Sequence, residues 1–386
     1  MNRSGRIIGI DLVRSVAICG AMLSHVVVMT DLTLPAPAAD HLFRIALQTS
    51  APIFIVLFGT MLELAYRPKF VPGGRAAVAA RLIARALQCW ALYALSIVAL
   101  IVAWPDYSLP FGVATMLFMG VTPFTDILKF YAVVLAIAPL LLIARNRLGL
   151  WPLALAAILL HATWPLARDL PSPATLGMPQ EIDRLAKFMF EVGAPDLGGP
   201  SVIRGLSFVV AGMVLGRVLT AGGRTATALR ERALPLAGIA AAAVAVLALL
   251  PGSHGPRGLA DMTLRQIGHP IYYLFNLPVA VLATTPAVAA TAGAPEGAQA
   301  RLRRLTFFGR TSLFTFAFGN MLLYLTPRDL VERQPLAGSI ALIAAITLMS
   351  WQFDRLMAGS GPIAPRVRRV QAAFAVPARR IVAAFG

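Results

Sequence analysis

Apolar residues in this chain come in long, nearly unbroken runs instead of the three- and four-residue spacing of a half-buried soluble helix. Runs of roughly 20 residues, enough at about 1.5 Å per residue to cross a hydrocarbon core of about 30 Å, lie near 8–29, 45–65, 82–104, 127–144, 148–166, 202–220, 233–250, 271–291, 306–326 and 337–357. The pattern predicts about ten transmembrane helices in an all-α, polytopic membrane bundle. Segment 109–121, "LPFGVATMLFMGV", is too short to span and predicts an interfacial or re-entrant piece. In the long loop 167–200, Ile182, Leu185, Phe188 and Met189 fall at helical spacing and predict an amphipathic helix, lying on lipid in preference to roofing a cleft. No repeat period stands out. Residues 1–357 read as one transmembrane domain and 358–386 as a basic cytoplasmic tail.

Composition agrees with this reading. The 386 residues are 58% hydrophobic and 13% charged, where a soluble domain carries about a quarter charged. Charge then orients the helices, because cytoplasmic loops retain Lys and Arg. With an inside N-terminus, 23 of the 34 basic residues fall on the inner side and 12 of the 17 acids on the outer side, so both termini are expected in the cytoplasm. The net charge of +17 is mostly this bias together with attraction to anionic lipid; no soluble basic domain is left to bind nucleic acid. Cys19 and Cys89 lie in apolar runs and suit packing, and no His, Cys or carboxylate cluster has metal-ligand spacing. Arg3, Arg6 and "PAPAAD" at 35–40 imitate a cleavable signal peptide. Asp11 and Arg14 interrupt its apolar region, however, and loss of the helix would break the charge alternation, so the first run is read as retained.

That first run carries an acid, a base and an imidazole. At 100° per residue, His25 lies about 40° from Asp11 and about 20° from Arg14 around the helix axis, and about 16 Å beyond Arg14 along it. Ionised residues near mid-membrane cost on the order of 2.5–3.5 kcal/mol each on insertion scales, so the stripe must face protein or water. Singly, each side chain suits a structural role: an interfacial pair at 11 and 14, a capped carbonyl at 25. Together on one face they point to a functional cleft.

These residues resemble a known family. Arg14, ten intervening residues and His25, preceded by "GID" at 9–11, resemble the Arg-x10-His signature of the integral-membrane acyltransferase family 3, whose wider clan includes heparan-alpha-glucosaminide N-acetyltransferase. "APIFIVLFGTML" at 51–62 is similar to the family's second helix, and "RLIARALQ" at 81–88 to its basic inner loop. "TPFTDILKFYAVVLAIAPLLL" at 122–142 and "FFGRTSLFTFAF" at 307–318 resemble the OpgC branch, named for enzymes that succinylate osmoregulated periplasmic glucans. There are departures. The last-but-one helix reads "AFGN", with Asn320 where the family often has a histidine; Arg81 and Arg85 are spaced one residue wider than usual; and no extracytoplasmic esterase-like domain is expected after the last span.

The resemblance implies a multi-pass acyltransferase of the bacterial inner membrane. Acyl-CoA would serve as the donor substrate from the cytoplasm, with no other cofactor, and a glycan hydroxyl on the outer side as the acceptor. His25 would be the general base, since imidazole with an ordinary pKa of about 6.5 can take a proton at neutral pH; a covalent acyl-histidine is the less favoured route. Asp11 and Arg14 would shape the donor mouth. Arg75, Arg81, Arg85 and Arg310, with Arg14, are the candidates for the nucleotide phosphates, although taken singly each is more readily explained as a positive-inside anchor. His254, Asp261 and His269 share an outer loop, and "HPIYYLFN" places His269 and Tyr273 as candidate acceptor contacts. The alternative is a glycan or small-molecule transporter without acyl chemistry, since intramembrane charges also mark substrate paths; no inverted repeat supports it. A catalytically silent scaffold or lipid sensor is a third reading.

Overall fold

The computed structural model describes residues 7–193, 199–252, 255–359 and 361–385, which are helical with no strand among them. Helix α1 is Ile8–Thr30. Helices α2 (Pro37–Gln48) and α3 (Ser50–Met61) continue through a π turn at Leu62–Tyr66 and a 3-10 turn at Arg67–Lys69 into one stretch of 33 residues. Then follow α4 (Arg75–Ala103), α5 (Leu109–Met116), α6 (Asp126–Leu148), α7 (Trp151–Ala162), α8 (Trp164–Asp169), α9 (Gln180–Phe190), α10 (Val202–Leu219) and α11 (Ala226–Ala248). Two short helices, α12 (Pro256–Ala260) and α13 (Thr263–Gln266), lead into α14 (Pro270–Thr291), α15 (Glu296–Leu305), α16 (Phe307–Arg310), α17 (Ser312–Leu325), α18 (Arg328–Glu332) and α19 (Pro335–Ala358). The chain ends in α20 (Ile363–Ala373) and α21 (Ala375–Phe385).

Eight of the ten expected spans are helices long and apolar enough to cross a bilayer, and the other two are interrupted. The run 148–166 bends by 50° between α7 and α8, where Pro165 has no N–H to continue the helix. The run 306–326 breaks at Thr311, leaving α17 with 14 residues. A helix of that length is tolerated here because Thr315, Phe316, Gly319 and Asn320 are buried against protein, which satisfies its polar groups without a full lipid crossing. Segment 109–121 forms only the short α5, as its length implies.

Helix α1 lies in the middle, touching α3, α14, α16, α17 and α19. Helices α3 and α10 cross closely because Gly59 and Gly212 face backbone: a Cβ on either would strike the other helix. The Thr60 hydroxyl seals the crossing by donating to the Gly212 carbonyl at 3.0 Å. At the basic end, the π turn directs Glu63 at Arg145 of α6, whose guanidinium donates twice to it at 3.0 and 3.2 Å. Arg67 adds a third bond at 2.9 Å.

The loop 167–201 is also built around a buried ion pair. Helix α9 forms where the amphipathic pattern placed it, but it does not simply rest on lipid. Phe188 is buried against Phe118 and beneath the Lys129 ammonium, 4.1 Å from the ring centroid. Its end, Glu191, pairs with Arg204 of α10 at 2.9 Å and accepts from the Ser201 hydroxyl at 2.6 Å. Burial pushes the Glu191 carboxyl up to about 7, against the opposing pull of Ser201 and Arg204. Between the ordinary 4.5 and about 7 the native state holds a proton that the unfolded chain has lost, so this contribution to stability is complete below about 4.5 and disappears as pH rises through 7. We expect the unfolding temperature in detergent to fall across that window and Glu191→Gln to flatten the fall; an identical slope in the variant would contradict the assignment.

Candidate functional site

A cavity of about 1160 Å³ opens at the basic end and runs into the bundle between α1, α3, α4, α6, α17, α19 and α20. Aromatic side chains form much of its wall, among them Phe54, Phe58, Tyr131, Phe314 and Phe316. Four guanidiniums line it: Arg14, Arg85, Arg310 and Arg366. Its size and its mixture of apolar wall and few charged groups are those of a ligand site.

Arg14 projects from α1 onto the ring of Phe54, 5.4 Å from the centroid, and donates to the Ser312 hydroxyl at 3.3 Å. Asp11 lies within electrostatic reach of both Arg14 and Arg310. One turn along, the Ser15 hydroxyl donates to the Asp11 carbonyl at 3.0 Å and accepts the Gly309 N–H at 2.9 Å. These contacts pin α1 to α16 at the mouth. Arg310 is held there by two bonds to Asp354, at 2.8 and 2.6 Å, and also donates to the Arg303 carbonyl.

Of the arginines singled out in the sequence, Arg14, Arg85 and Arg310 therefore come together, while Arg75 and Arg81 do not line the cavity. The reason is helical geometry. Arg81 is about one turn before Arg85 on nearly the same face, about 6 Å nearer the helix end and outside the rim; Arg75 is turned about 80° away. Asp354 and Arg366 carried no spacing signal, because both reach the cavity from distant helices.

His25 is half-buried in the opposite half of α1. Its Nδ1 lies 2.9 Å from Asn320 Oδ1 of α17, and its ring is 5.1 Å from that of Phe124. Asn320 is fully buried, and its amide nitrogen donates to the Phe124 carbonyl at 2.8 Å. This carbonyl settles the tautomer. A carbonyl only accepts, so the amide nitrogen of Asn320 is committed to it and the amide oxygen faces the imidazole. Nδ1 must then carry the proton, which leaves Nε2 with its lone pair. Phe124 meets the amide from a left-handed backbone with φ of 67°, a conformation that bulky residues rarely adopt.

His25 itself lines neither of two cavities whose walls surround it. Phe316 and Phe318 line the large one, two to four residues before Asn320 on α17; Ile127 and Leu128 line it three to four residues after Phe124. The large cavity therefore reaches α17 and α6 close in sequence to both residues that meet the imidazole. Toward the other end of the bundle, a second cavity of about 320 Å³ is lined by Ser24, Val27 and Val28 of α1, with Asp40, Arg44 and Asp261. Arg265 of α13 is within electrostatic reach of His25, Asp126 and Tyr272. Asn320 was visible in the sequence only as a missing histidine, and nothing in spacing marked Arg265.

The expected acceptor contacts lie elsewhere. Tyr273 is 1% exposed, packed on His161 at 4.4 Å and Phe208 at 5.0 Å, because that face of α14 lies inside the bundle. His269 caps α14, its Nδ1 accepting the Ile271 N–H at 3.2 Å, with its ring against Trp164 at 4.6 Å. Neither stands at an open mouth. Asp261 accepts the Thr263 N–H at 3.0 Å, and His254 lies outside the described residues.

Residues 6–190, just under half of the chain, match the family model described as the catalytic region of heparan-alpha-glucosaminide N-acetyltransferase. The matched stretch is thus similar to an acyltransferase and contains α1 with both Arg14 and His25. No curated protein sequence gives a significant match.

Proposed function

We propose that the protein is a membrane-embedded acyltransferase that passes an acyl group from a CoA thioester to a glycan on the far side of the bilayer. The carrying observation is that α1 presents a guanidinium inside the large cavity and, in its other half, an imidazole whose partners Asn320 and Phe124 are close in sequence to residues lining that cavity, with Nε2 left to accept a proton. The match of residues 6–190 to an N-acetyltransferase family supports the class. The charge distribution supports a cytoplasmic basic end, hence a donor entering from the cytoplasm across a bacterial inner membrane.

In this reading the polyanionic end of CoA stays at the arginine-lined mouth and the pantetheine arm carries the thioester along the aromatic wall. The acceptor arrives from the opposite end. Its hydroxyl or amine gives a proton to His25 Nε2 as its oxygen or nitrogen attacks the thioester carbonyl. The C–S bond then breaks, and the imidazolium returns the proton to the departing thiolate. Asn320 keeps Nδ1 protonated and so compensates the transient imidazolium with a charge-assisted hydrogen bond. Arg310, neutralised by Asp354, shapes the mouth more than it binds phosphate. The match favours acetyl as the acyl group, while the OpgC resemblance favours succinyl on a periplasmic glucan.

The test is incubation of the purified protein with labelled acyl-CoAs and envelope glycans. CoA release with transfer of the label to glycan is the expected result. Saturable binding or counterflow without thioester cleavage would replace the enzyme with a carrier.

A further inference from the structure

Helices α20 and α21 do not trail away from the bundle. Helix α21 folds back along α4, and α20 packs on α19 and α21 and is tied to α4 by Gln88, which donates to the Gln371 carbonyl at 3.0 Å; Ala364 and Ala378 are buried. Positions 366, 367, 370, 371 and 374 of this segment all line the large cavity, a spacing that places one face of the helix along its wall. Arg368 and Arg369 project elsewhere, Arg368 donating to the Met357 carbonyl at 3.1 Å. Arg366 borders the cavity on this face while remaining solvent-exposed, so its guanidinium stands at the opening.

The other cavity arginines are engaged: Arg310 by Asp354, Arg14 by Phe54 and Ser312, Arg85 by Gln88. Arg366 has no hydrogen-bond or ion-pair partner among the described residues. It is an exposed cation at the mouth of the open cavity, and no acid among the described residues pairs with it. That combination suits a ligand bringing its own anionic groups, and a guanidinium matches phosphate geometry best.

We infer that α20 is a wall of the donor site and that Arg366 receives a phosphate of the nucleotide end of the donor. The assignment rests on the acyltransferase reading, and it places a binding residue well outside the stretch that matches the family.

The test compares full-length wild type, Arg366→Ala, Arg366→Lys and Arg369→Ala on two thioesters, acyl-CoA and acyl-pantetheine, the second lacking the nucleotide. Arg366→Ala is expected to raise KM for acyl-CoA about tenfold or more with kcat near that of wild type, and to leave acyl-pantetheine unchanged. Arg366→Lys should recover part of the loss and Arg369→Ala should change neither substrate. An equal shift on both thioesters, the same shift in Arg369→Ala, or no shift at all would overturn the assignment while leaving the acyltransferase reading in place. If wild type cleaves neither thioester, that reading falls separately, and equilibrium binding of CoA itself decides for α20: affinity lost in Arg366→Ala sustains the site, and unchanged affinity removes it.

Discussion

His25→Ala is expected to lower acyl transfer by about 10²–10⁴-fold, the range supplied by a positioned general base, with membrane insertion and abundance unchanged. The expectation rests on the hydrogen-bond chain and not on the presence of a histidine alone. Phe124 fixes the Asn320 amide, the amide fixes the imidazole tautomer, and Nε2 is left as base. Asn320→Ala should therefore also lower kcat, by less, while KM for acyl-CoA stays near wild type, because Asn320 acts on the imidazole and not on the donor mouth. Equal product in wild type and His25→Ala would refute the mechanism. A loss in Asn320→Ala that appears only in KM would separate Asn320 from it.

Glu63→Ala should have the largest effect on stability. Glu63 is 4% exposed and Arg145 9% exposed, and the carboxylate ties α3 to α6 through two bonds from Arg145. Removing one partner of a buried pair typically costs 3–5 kcal/mol, because the charge left behind is neither solvated nor compensated. The loss is readable as a shift in unfolding midpoint in detergent. The double variant Glu63→Ala with Arg145→Met should recover a large part of it, since the buried guanidinium is then gone and only the more exposed Arg67, 36% exposed, loses its partner. A cost for Glu63→Ala below about 1 kcal/mol, the range of a surface pair, would show that water reaches this junction.

Both predictions depend on contacts between residues distant in sequence, and this separates what could be read early from what could not. The length of each apolar run is dictated by bilayer thickness, a constraint that acts on every span alone, so the positions of eight of the ten expected spans were legible without a fold, while the other two proved interrupted. The shared face of Arg14 and His25 was legible too, because a helix has a fixed angular period. The bends at Thr163–Pro165 and Thr311 were only partly visible: Pro165 announces a break, but the short α17 survives because neighbours bury it.

Partnership was a tertiary decision. His25 meets Asn320 across 295 positions, and Arg14 meets Ser312 across 298; no periodicity links residues so far apart. The same holds for the placement of single charges. Arg75, Arg81 and Arg85 look alike along α4, yet only Arg85 reaches the cavity, and Tyr273, read as an acceptor contact, is enclosed between helices. By itself the sequence determined that the chain is a helical membrane bundle with a polar stripe on its first helix, since solvent and helix geometry act locally. Which side chain completes that stripe, and which arginines surround the space beside it, depended on how helices from opposite ends of the chain pack, because a hydrogen bond or a cavity wall is a property of at least two surfaces and neither is written in one segment alone.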